Sequence, residues 1–469
     1  MLAAPWRVMR AGPAFFGSSG NGGNGRRRRA EALQVCSNGG TADGEQKVVE
    51  KKKKKGVVVG SGWAGLGAAY HLCKQGFDVT VLEDSNDFGS SDDVGIQGFW
   101  YPYKNIFSLV DGLGLEPFTG WMKSAHSFRL SVQVEFPIFQ DLPQLPSPLG
   151  TSAIDFDNTD NAWRKYDPIT ARELFRQSGC SERLYENVFA PLLQVGLFAP
   201  PEQCSSAAAL AMLYYLVLAH QKDVDVKWCR GTRRAKIFQP WINSMRTDCC
   251  EFLTLHTGDE FLKVLNLAGV DVLSVELELD KKINIANASN ACAGFDDCFG
   301  WTFFDLNALH DEHKDDHAQV IETDFVSHPY LLPLVDELLV GKITSYLSKF
   351  IAGLENATVV DRKIRRFPRS LTHFLLGSYK YMMRGATSFP NLFIAGDWII
   401  SRHGSWSQEK AYVTGLEAEN LVIDYLGDGE FARIVPVEED EPHIQALRSL
   451  NRSLDQFRAQ LPFSDFFVQ

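Results

Sequence analysis

Residues 56–83, GVVVGSGWAGLGAAYHLCKQGFDVTVLE, decide the fold because they supply the parts of a dinucleotide-binding unit in order. Val57–Val59 form a β-branched apolar run of the kind that is buried in a parallel sheet. Gly60, Gly62 and Gly65 then match G-x-G-x-x-G. The first glycine allows a tight turn, the second lets a phosphate approach the backbone, and the third lets a helix pack close to the strand.

The helix and the strand that follow complete this unit. The apolar residues from Leu66 to Leu72 predict a helix that ends near Gly76, and its N-terminus would offer N–H groups to a pyrophosphate. Val79–Leu82 predicts the second strand, and Glu83 follows it directly. A carboxylate at that position accepts hydrogen bonds from an adenosine ribose and repels a 2′-phosphate, so FAD or NAD fits and NADP does not. In the alternative interpretation the glycines serve packing alone, which leaves Glu83 unexplained.

Composition limits the class of protein and its partners. The chain has 469 residues, of which 45% are apolar, so we expect two intertwined lobes rather than one small α/β unit. The net charge of −11 argues against nucleic acid as a partner. The nine cysteines form no C-x-x-C pair, so the sequence predicts neither a zinc site nor a disulfide framework.

The N-terminal region, residues 1–50, predicts a transit peptide rather than a folded domain. It contains the run Arg26–Arg29 among Gly and Ala, and its first acidic residue is Glu31. The basic run Lys51–Lys55 is interpreted as a solvated linker rather than a nucleic-acid or lipid patch.

The chain contains no stretch of eighteen apolar residues, so we predict no membrane span. The nearest candidate, residues 207–219, is interpreted as a buried helix, with a peripheral membrane contact as the alternative. Residues 170–173, TARE, form a capping box that starts another helix. The aromatic run 299–306, FGWTFFDL, predicts sheet in a second, substrate-facing lobe. Its Trp301, Phe303 and Phe304 are core residues or line an apolar pocket, and core is the simpler interpretation.

A second chemical signal lies at residues 389–427. Asn391–Ala395 predicts a strand that delivers Gly396 and Asp397 to a turn. A loop ending at Gly404 and Ser405 then opens a long helix that ends at Gly427. An acid at a strand end can hold a polyol chain, and a helix N-terminus can stabilise negative charge on a reduced ring, which are properties a flavin requires.

Three phrases carry a family resemblance. They are GSGWAGL at residues 60–66 together with Glu83, VGIQGFWYPYKNIF at 94–107, and NLFIAGD followed by GSWSQEKAYVTGLEAEN at 391–420. This pattern resembles the FAD-dependent amine oxidase superfamily, and within it the plastid carotenoid desaturase and isomerase branch, close to zeta-carotene desaturase-like proteins. The resemblance covers most of residues 54–469. It implies an α/β fold in which a Rossmann-like FAD-binding domain is combined with a substrate domain of mixed sheet and helices.

The resemblance also implies FAD as the cofactor, a plastid location with the mitochondrion as alternative, and a hydrophobic small molecule as substrate. Such enzymes move hydride between a C–C or C–N bond and the flavin, or isomerise a polyene through reduced flavin, so no separate catalytic constellation is needed. The sequence names no catalytic residue. The predicted cofactor-binding residues are Gly60, Gly62, Ala64, Gly65, Glu83, Asp84, Gly89, Gly396, Asp397, Gly404, Ser405, Trp406 and Ser407.

Domain boundaries follow from the same motifs, and two segments depart from the family pattern. Where the family has Gly-Gly followed by a basic residue, residues 88–93 read FGSSDD. The Val-rich strand that completes the FAD-side sheet of the family has no counterpart in the sequence after Leu253. We predict a transit peptide at 1–50, FAD-binding segments at 51–120 and 361–430, a substrate domain at 121–360 with interleaved FAD-side segments, and a tail with a helix at 431–469.

Three functions remain open from the sequence. The first is an FAD oxidoreductase that desaturates or isomerises an apolar polyene or isoprenoid. The second is an amine oxidase, which needs aromatic rings flanking the flavin, with Trp398, Trp406 and Tyr412 as candidates. The third is a shortened homologue without activity.

Overall fold

The structure of the protein is a computed structural model. It describes residues 54–83, 94–122, 125–127, 133–135, 155–198, 200, 202–214, 225–246, 250–253, 267–292, 300–328, 330–404, 407–437, 439 and 442–459. These residues all belong to one compact unit, Lys53–Gln469. The predicted transit peptide and the FGSSDD segment lie outside the described residues.

The described residues form twelve strands and twelve α-helices. The strands are β1 Lys55–Val59, β2 Asp78–Leu82, β3 Phe99–Trp100, β4 Ala125–Ser127, β5 Gln133–Glu135, β6 Val226–Lys227, β7 Cys250–Leu253, β8 Ala268–Leu279, β9 Ser289–Cys292, β10 Trp301–Asp305, β11 Gln319–Val326 and β12 Val359–His373. The helices are α1 Trp63–Lys74, α2 Lys104–Gly112, α3 Asp160–Tyr166, α4 Ala171–Gln177, α5 Glu182–Leu184, α6 Ala190–Leu197, α7 Ser206–Leu213, α8 Gln239–Arg246, α9 Leu306–Leu309, α10 Asp336–Leu347, α11 Gln408–Leu426 and α12 Pro442–Ala459.

The first sheet is the predicted dinucleotide-binding sheet. Its three strands lie in the order β1-β2-β7 and all pair in parallel. Cys250–Leu253 lies beside β2, on the side away from β1, with Leu253 opposite Leu82. Residues 254–266, which follow Leu253, lie outside the described residues, so the lack of a Val-rich strand there stays a prediction.

Strand β1 differs from the sequence expectation in its burial. Val57 and Val59 are 65% and 60% exposed, so the prediction that this run is buried was wrong. The reason is that β1 is an edge strand among the described residues: it pairs with β2 and with no second strand. A β-branched run is favourable at an edge as well as in the middle of a sheet, so the run itself does not distinguish the two positions.

Helix α1 joins this sheet to the C-terminal helix α11. The two helices approach so closely that a Cβ on Gly67 would lie 2.9 Å from the ring of Tyr412, and a Cβ on Gly415 would lie 2.2 Å from the Ala64 carbonyl oxygen. Trp63 and Leu66 pack on the same core as Tyr412. Because glycine has no side chain, α1 and α11 can approach each other closely at these two positions. The two helices belong to sequence motifs that are far apart in the chain.

The second sheet has seven strands in the order β12-β8-β11-β10-β9-β4-β5. All neighbours are antiparallel except β4 and β9, which are parallel. Trp301 and Phe303 face a core that includes helix α10, and Phe304 packs on the opposite side of the sheet. All three are buried, which confirms the core interpretation of this aromatic run.

A helical layer completes the second domain. Thr170 caps α4 by accepting a hydrogen bond from the Glu173 N–H at 3.1 Å, as the capping box predicts. Every residue of α7 is buried, so the start of the apolar stretch 207–219 is a buried helix, while residues 215–219 lie outside the described residues. Within the described parts of the chain, no helix combines the length and apolar composition that crossing a bilayer requires.

The C-terminal prediction is confirmed for the helix and wrong for the strand. Helix α11 ends at Gly427, which has a φ of +66° in the left-handed region. Residues 391–395 form no strand. Phe393 makes a single bridge to Ala386, and the Ile394 N–H donates to the Gly385 carbonyl at 2.8 Å. The overall class is nevertheless the predicted one: a Rossmann-like dinucleotide-binding domain combined with a domain of mixed sheet and helices.

Candidate functional site: a dinucleotide-binding loop and a buried lysine

The glycine loop between β1 and α1 has the geometry that close phosphate approach requires. Gly60 has a φ of +95°, and its N–H donates to the Leu82 carbonyl at 2.6 Å, which ties the loop to β2. A Cβ on Gly65 would lie 1.9 Å from the Gly60 carbonyl oxygen, whereas a Cβ on Gly60 or Gly62 would meet no atom of the described residues within 4 Å. The third glycine is thus required for helix packing, and the first two border open space.

Glu83 lies at the end of β2, beside this loop. Its Oε2 accepts hydrogen bonds from the Ser61 N–H at 2.7 Å and from the Ser61 hydroxyl at 2.6 Å. The carboxylate is therefore oriented toward the glycine loop in the position where the sequence predicts a ribose contact. The adjacent Asp84 lies outside the described residues.

The N-terminus of α1 points toward the same open space. Gly62 is the N-cap, and among the described residues no side chain caps the helix and no acid lies in its first turn. A helix end with these properties attracts an anion because its first N–H groups lack intrahelical acceptors and the helix dipole is positive there. The loop, the carboxylate and the helix end thus lie side by side, which is the arrangement of a Rossmann-like dinucleotide site.

The Gly396–Asp397 turn lies against α11 rather than at the end of a strand. Gly396 has a φ of +137°, and its N–H donates to the Thr414 hydroxyl oxygen at 2.9 Å. The Thr372 hydroxyl donates to Asp397 Oδ1 at 3.5 Å. Burial raises the pKa of Asp397, and the positive charge of Lys410 opposes that rise.

Lys410 is the counter-charge of Asp397 and was not predicted from the sequence. Its side chain is 1% exposed, on the first turn of α11. Burial lowers the pKa of Lys410 to about 8, while Asp397 and Glu417 oppose the shift, so the ammonium is mostly protonated at neutral pH. A buried charge with a carboxylate partner cannot be recognised from a lysine in an otherwise ordinary helical pattern.

Lys410 lines a cavity of about 390 Å³. On the cavity wall the Tyr379 hydroxyl donates to Asp160 Oδ1 at 2.6 Å, and Arg384 forms an ion pair with the same carboxylate. Trp163 stacks on Tyr379 with ring centroids 5.2 Å apart. The cavity therefore combines aromatic surface with charges of both signs.

The start of α11 is held by buried polar contacts. The Ser407 hydroxyl oxygen accepts from the Lys410 N–H at 2.9 Å and caps the helix. Glu409 accepts from the N–H groups of Asn105 and Ile106 at 2.8 and 2.9 Å, and burial raises its pKa to about 7. The Gln408 Oε1 accepts from the Trp63 indole at 3.0 Å. These contacts fix the helix terminus against α1 and α2.

The structure brings most of the predicted residues together around α1 and α11. Gly60, Gly62, Ala64, Gly65 and Glu83 surround the glycine loop. Gly396, Asp397 and Ser407 lie at the first half of α11, and Gly404, with a φ of +90°, precedes it. Asp84, Gly89, Ser405 and Trp406 lie outside the described residues.

The aromatic candidates for an amine oxidase site do not form a described pair. Tyr412 is buried in the core between Trp63 and Trp241, with ring centroids 6.3 and 5.7 Å away, and its role beside a flavin stays a prediction. It faces inward because α11 must bury one side against α1. Trp398 folds back over Gly396, and Trp406 is outside the described residues.

A second set of buried charges lies on the seven-stranded sheet. Glu322 on β11 accepts from Arg365 on β12 at 2.9 Å and from the Ser274 hydroxyl at 2.7 Å. Asp324 accepts from the Ile96 N–H at 2.7 Å, and burial raises its pKa well above the ordinary value. The loop that follows residue 94 is thereby attached to the second domain. Sequence patterning missed these residues, because alternating charges on a strand usually indicate a solvated face.

Comparisons with known proteins agree with this fold. The family described as "NAD(P)-binding Rossmann-like domain" matches residues 58–113. Among curated proteins, no sequence matches the chain significantly. Solved structures that resemble it include a putative protoporphyrinogen oxidase from Exiguobacterium sp. 255-15 (TM-score 0.57, 14% identity, covering 80% of this chain and 99% of that one) and cyclohexylamine oxidase from Brevibacterium oxydans IH-35A (0.60, 13%, 80% and 100%). Wild-type putrescine oxidase bound to putrescine is a third (0.55, 15%, 80% and 99%).

At these identities the likeness shows the fold alone. The two-domain architecture nevertheless extends over nearly the full length of each of these oxidases.

Proposed function

We propose that this protein is an FAD-dependent oxidoreductase. The observation that carries the proposal is the glycine loop, where Gly60 and Gly62 border open space, the bare N-terminus of α1 faces that space, and Glu83 is held beside it. These residues fit the ADP half of FAD: the α1 end and the loop would hold the pyrophosphate, and Glu83 the ribose. The Glu83 carboxylate would repel the 2′-phosphate of NADP.

The residues around α11 support a flavin rather than a nicotinamide. Bound FAD would supply hydride acceptance and donation, which no side chain provides. The start of α11, capped by Ser407 and fixed by Glu409, provides a rigid helix N-terminus whose dipole stabilises negative charge. Asp397, beside α11, is the acid assigned to the ribityl or pyrophosphate region by the sequence resemblance.

For the substrate, we propose an apolar polyene or isoprenoid. Support comes from the sequence phrases that resemble the carotenoid desaturase and isomerase branch. An amine is the second candidate, because cyclohexylamine oxidase and putrescine oxidase share the fold. Tyr412, one of the three aromatic candidates for an amine site, packs against Trp63.

The proposal is tested on the purified full chain in two stages. First, an absorption spectrum should show bound flavin near 1:1, and a protein without flavin would contradict FAD dependence. Second, the flavin should be reduced anaerobically by a carotene in detergent micelles and not by putrescine or cyclohexylamine, or the reduced protein should isomerise the polyene. Reduction by the amines alone would favour the amine oxidase function. A protein that contains flavin but carries out neither reaction would favour the interpretation as an inactive homologue.

Glu83→Ala should weaken FAD retention about ten- to a hundredfold. The substitution removes a charge-assisted hydrogen bond worth about 1.5–3 kcal/mol. The matched control is Ser61→Ala, which removes the hydroxyl bonded to Glu83 but leaves the carboxylate for the ribose. Equilibrium dialysis or flavin fluorescence on dilution measures the dissociation constant. Equal affinities in wild type and Glu83→Ala would contradict the ribose assignment.

We further propose that the protein is imported into plastids. The Arg-rich and acid-poor composition of residues 1–50 supports this. Fused to a fluorescent protein, this segment should deliver it to plastids and be cleaved before β1. The control is the same segment with Arg26–Arg29 replaced by glutamate. Fluorescence in the cytosol with the native segment would reject the proposal, and fluorescence in mitochondria would select the alternative.

A further inference from the structure

A group of metal-ligating side chains lies outside the dinucleotide-binding site, in the turn after α9. The sequence here is LHDEHKDDH, residues 309–317. The His310 Nδ1 lies 3.6 Å from Glu312 Oε1, and the His313 Nε2 lies 4.0 Å from the same oxygen. One ligand atom from each of the three residues lies within 4.8 Å of the other two.

These separations are close to those of a formed metal site. Zinc binds imidazole nitrogen and carboxylate oxygen at about 2.0–2.2 Å, so tetrahedral ligands lie roughly 3.3–3.5 Å apart. Small side-chain rotations, each moving a ligand atom by less than about 1 Å, would bring the three atoms to that spacing. Two imidazoles and one carboxylate suit Zn²⁺ among the common cellular cations, and are poor ligands for Mg²⁺ or Ca²⁺.

The second nitrogen of His313 supplies independent evidence. Its Nδ1 lies 3.0 Å from Asp316 Oδ2, so in the tautomer with the proton on Nδ1 this N–H donates to the carboxylate and Nε2 carries the lone pair. This carboxylate–imidazole arrangement is the one that orients metal-ligating histidines in proteins. With Nδ1 directed at Asp316, Nε2 is the nitrogen that faces Glu312.

The turn is held in place before any ion binds. The Asn307 Nδ2 donates to the His313 carbonyl at 2.8 Å. Asp311 forms ion pairs with Arg230 and Lys236 at 3.0 and 2.9 Å, and these ion pairs anchor the turn to the segment before α8. His310 is 7% exposed. The ligand residues thus lie in a turn that hydrogen bonds and ion pairs already hold in place. This lowers the conformational entropy that is lost when an ion binds.

We propose that His310, Glu312 and His313 bind a Zn²⁺ ion with Asp316 as the orienting carboxylate. Three protein ligands leave a fourth position for water or another ligand, as in zinc sites that remain open. The three residues line a cavity of about 130 Å³ together with two further acids, Glu276 and Glu322, and three basic side chains, Arg233, Lys363 and Arg365. An ion here would join the turn to the polar side of the seven-stranded sheet.

The test is a Zn²⁺ titration of the tag-free full chain against a chromophoric chelator. Wild-type protein should take up one ion with a micromolar or tighter dissociation constant, and His313→Ala should lose that uptake by at least a hundredfold. His317→Ala is the matched control, because this exposed histidine lies in the same turn but outside the group. Asp316→Asn should weaken binding about ten- to a hundredfold.

A second measurement separates ligation from folding. Substituted Co²⁺ should give the intense visible bands of a low-coordinate site in wild type and His317→Ala, and lose them in His310→Ala and His313→Ala. Far-UV circular dichroism of each variant checks that the fold is retained. No uptake by wild type, or equal uptake by His313→Ala and wild type, would overturn the proposal. Neither readout requires FAD.

Discussion

Gly65→Ala is expected to prevent the protein from folding stably, while Gly62→Ala three residues earlier should leave the fold intact. A Cβ on Gly65 would lie 1.9 Å from the Gly60 carbonyl oxygen, and no side-chain rotation relieves this contact because the backbone fixes the positions of both atoms. Relief requires moving α1 off β1, and we expect a cost of at least about 3 kcal/mol, the upper range for overpacking. That is a large part of a typical unfolding free energy of about 5–15 kcal/mol.

The two variants separate packing from cofactor binding. Gly62 has a φ of −74° and open space around its Cβ position, so alanine fits the protein without a ligand. The added methyl group lies where a pyrophosphate would approach, so Gly62→Ala should fold and lose FAD. Denaturant midpoints and flavin content measure the two effects. A folded, flavin-loaded Gly65→Ala protein would show that the helix does not pack on the loop as described.

Lys410→Met should destabilise the protein by about 3–5 kcal/mol. The substitution removes the buried cation that opposes the raised pKa of Asp397, and an uncompensated buried carboxylate is costly. The double variant Asp397→Asn/Lys410→Met should recover most of the loss, because the Asp397 charge is removed together with that of Lys410, and Glu417, the other carboxylate beside Lys410, is only partly buried. Urea unfolding of the wild type, both single variants and the double variant gives the coupling free energy.

The double-mutant cycle also tests the assignment of Asp397. If the losses of the two single variants simply add in the double variant, Lys410 and Asp397 do not form a coupled pair. Lys363→Met, at an exposed position on β12, is a suitable control for the change from lysine to methionine. It should alter the unfolding free energy by no more than about 0.5 kcal/mol.

Local sequence patterns predicted the parts of the fold that are locally determined. The order of strand, glycine loop, helix, strand and Glu83 is recoverable because each step depends on neighbours in the chain. The same holds for the Thr170 cap and for the end of α11 at Gly427. Burial of β1 was not recoverable, because an edge strand and a central strand have the same propensity.

Errors arose where distant residues determine the outcome. The segment 391–395 has the composition of a strand, but its hydrogen bond goes to Gly385 in an irregular turn rather than to a sheet. Lys410 carries no local signature, because Asp397, the carboxylate that opposes its charge, comes from a separate turn. The contacts and the burial of such residues depend on the folded structure, and a single sequence does not reveal them.

The crossing of α1 and α11 sets an order of events during synthesis. Gly415, which touches Ala64, lies 350 residues after Gly65. At translation rates of about 5–20 residues per second, the glycine loop leaves the ribosome about 20–70 s before its covering helix exists. During that interval the apolar side of α1 lacks the helix that covers it in the folded protein. Exposed apolar surface on a nascent chain favours aggregation unless a chaperone or the middle segments of the chain cover it. Truncation anywhere before α11 should therefore yield an aggregating product rather than a soluble dinucleotide-binding fragment.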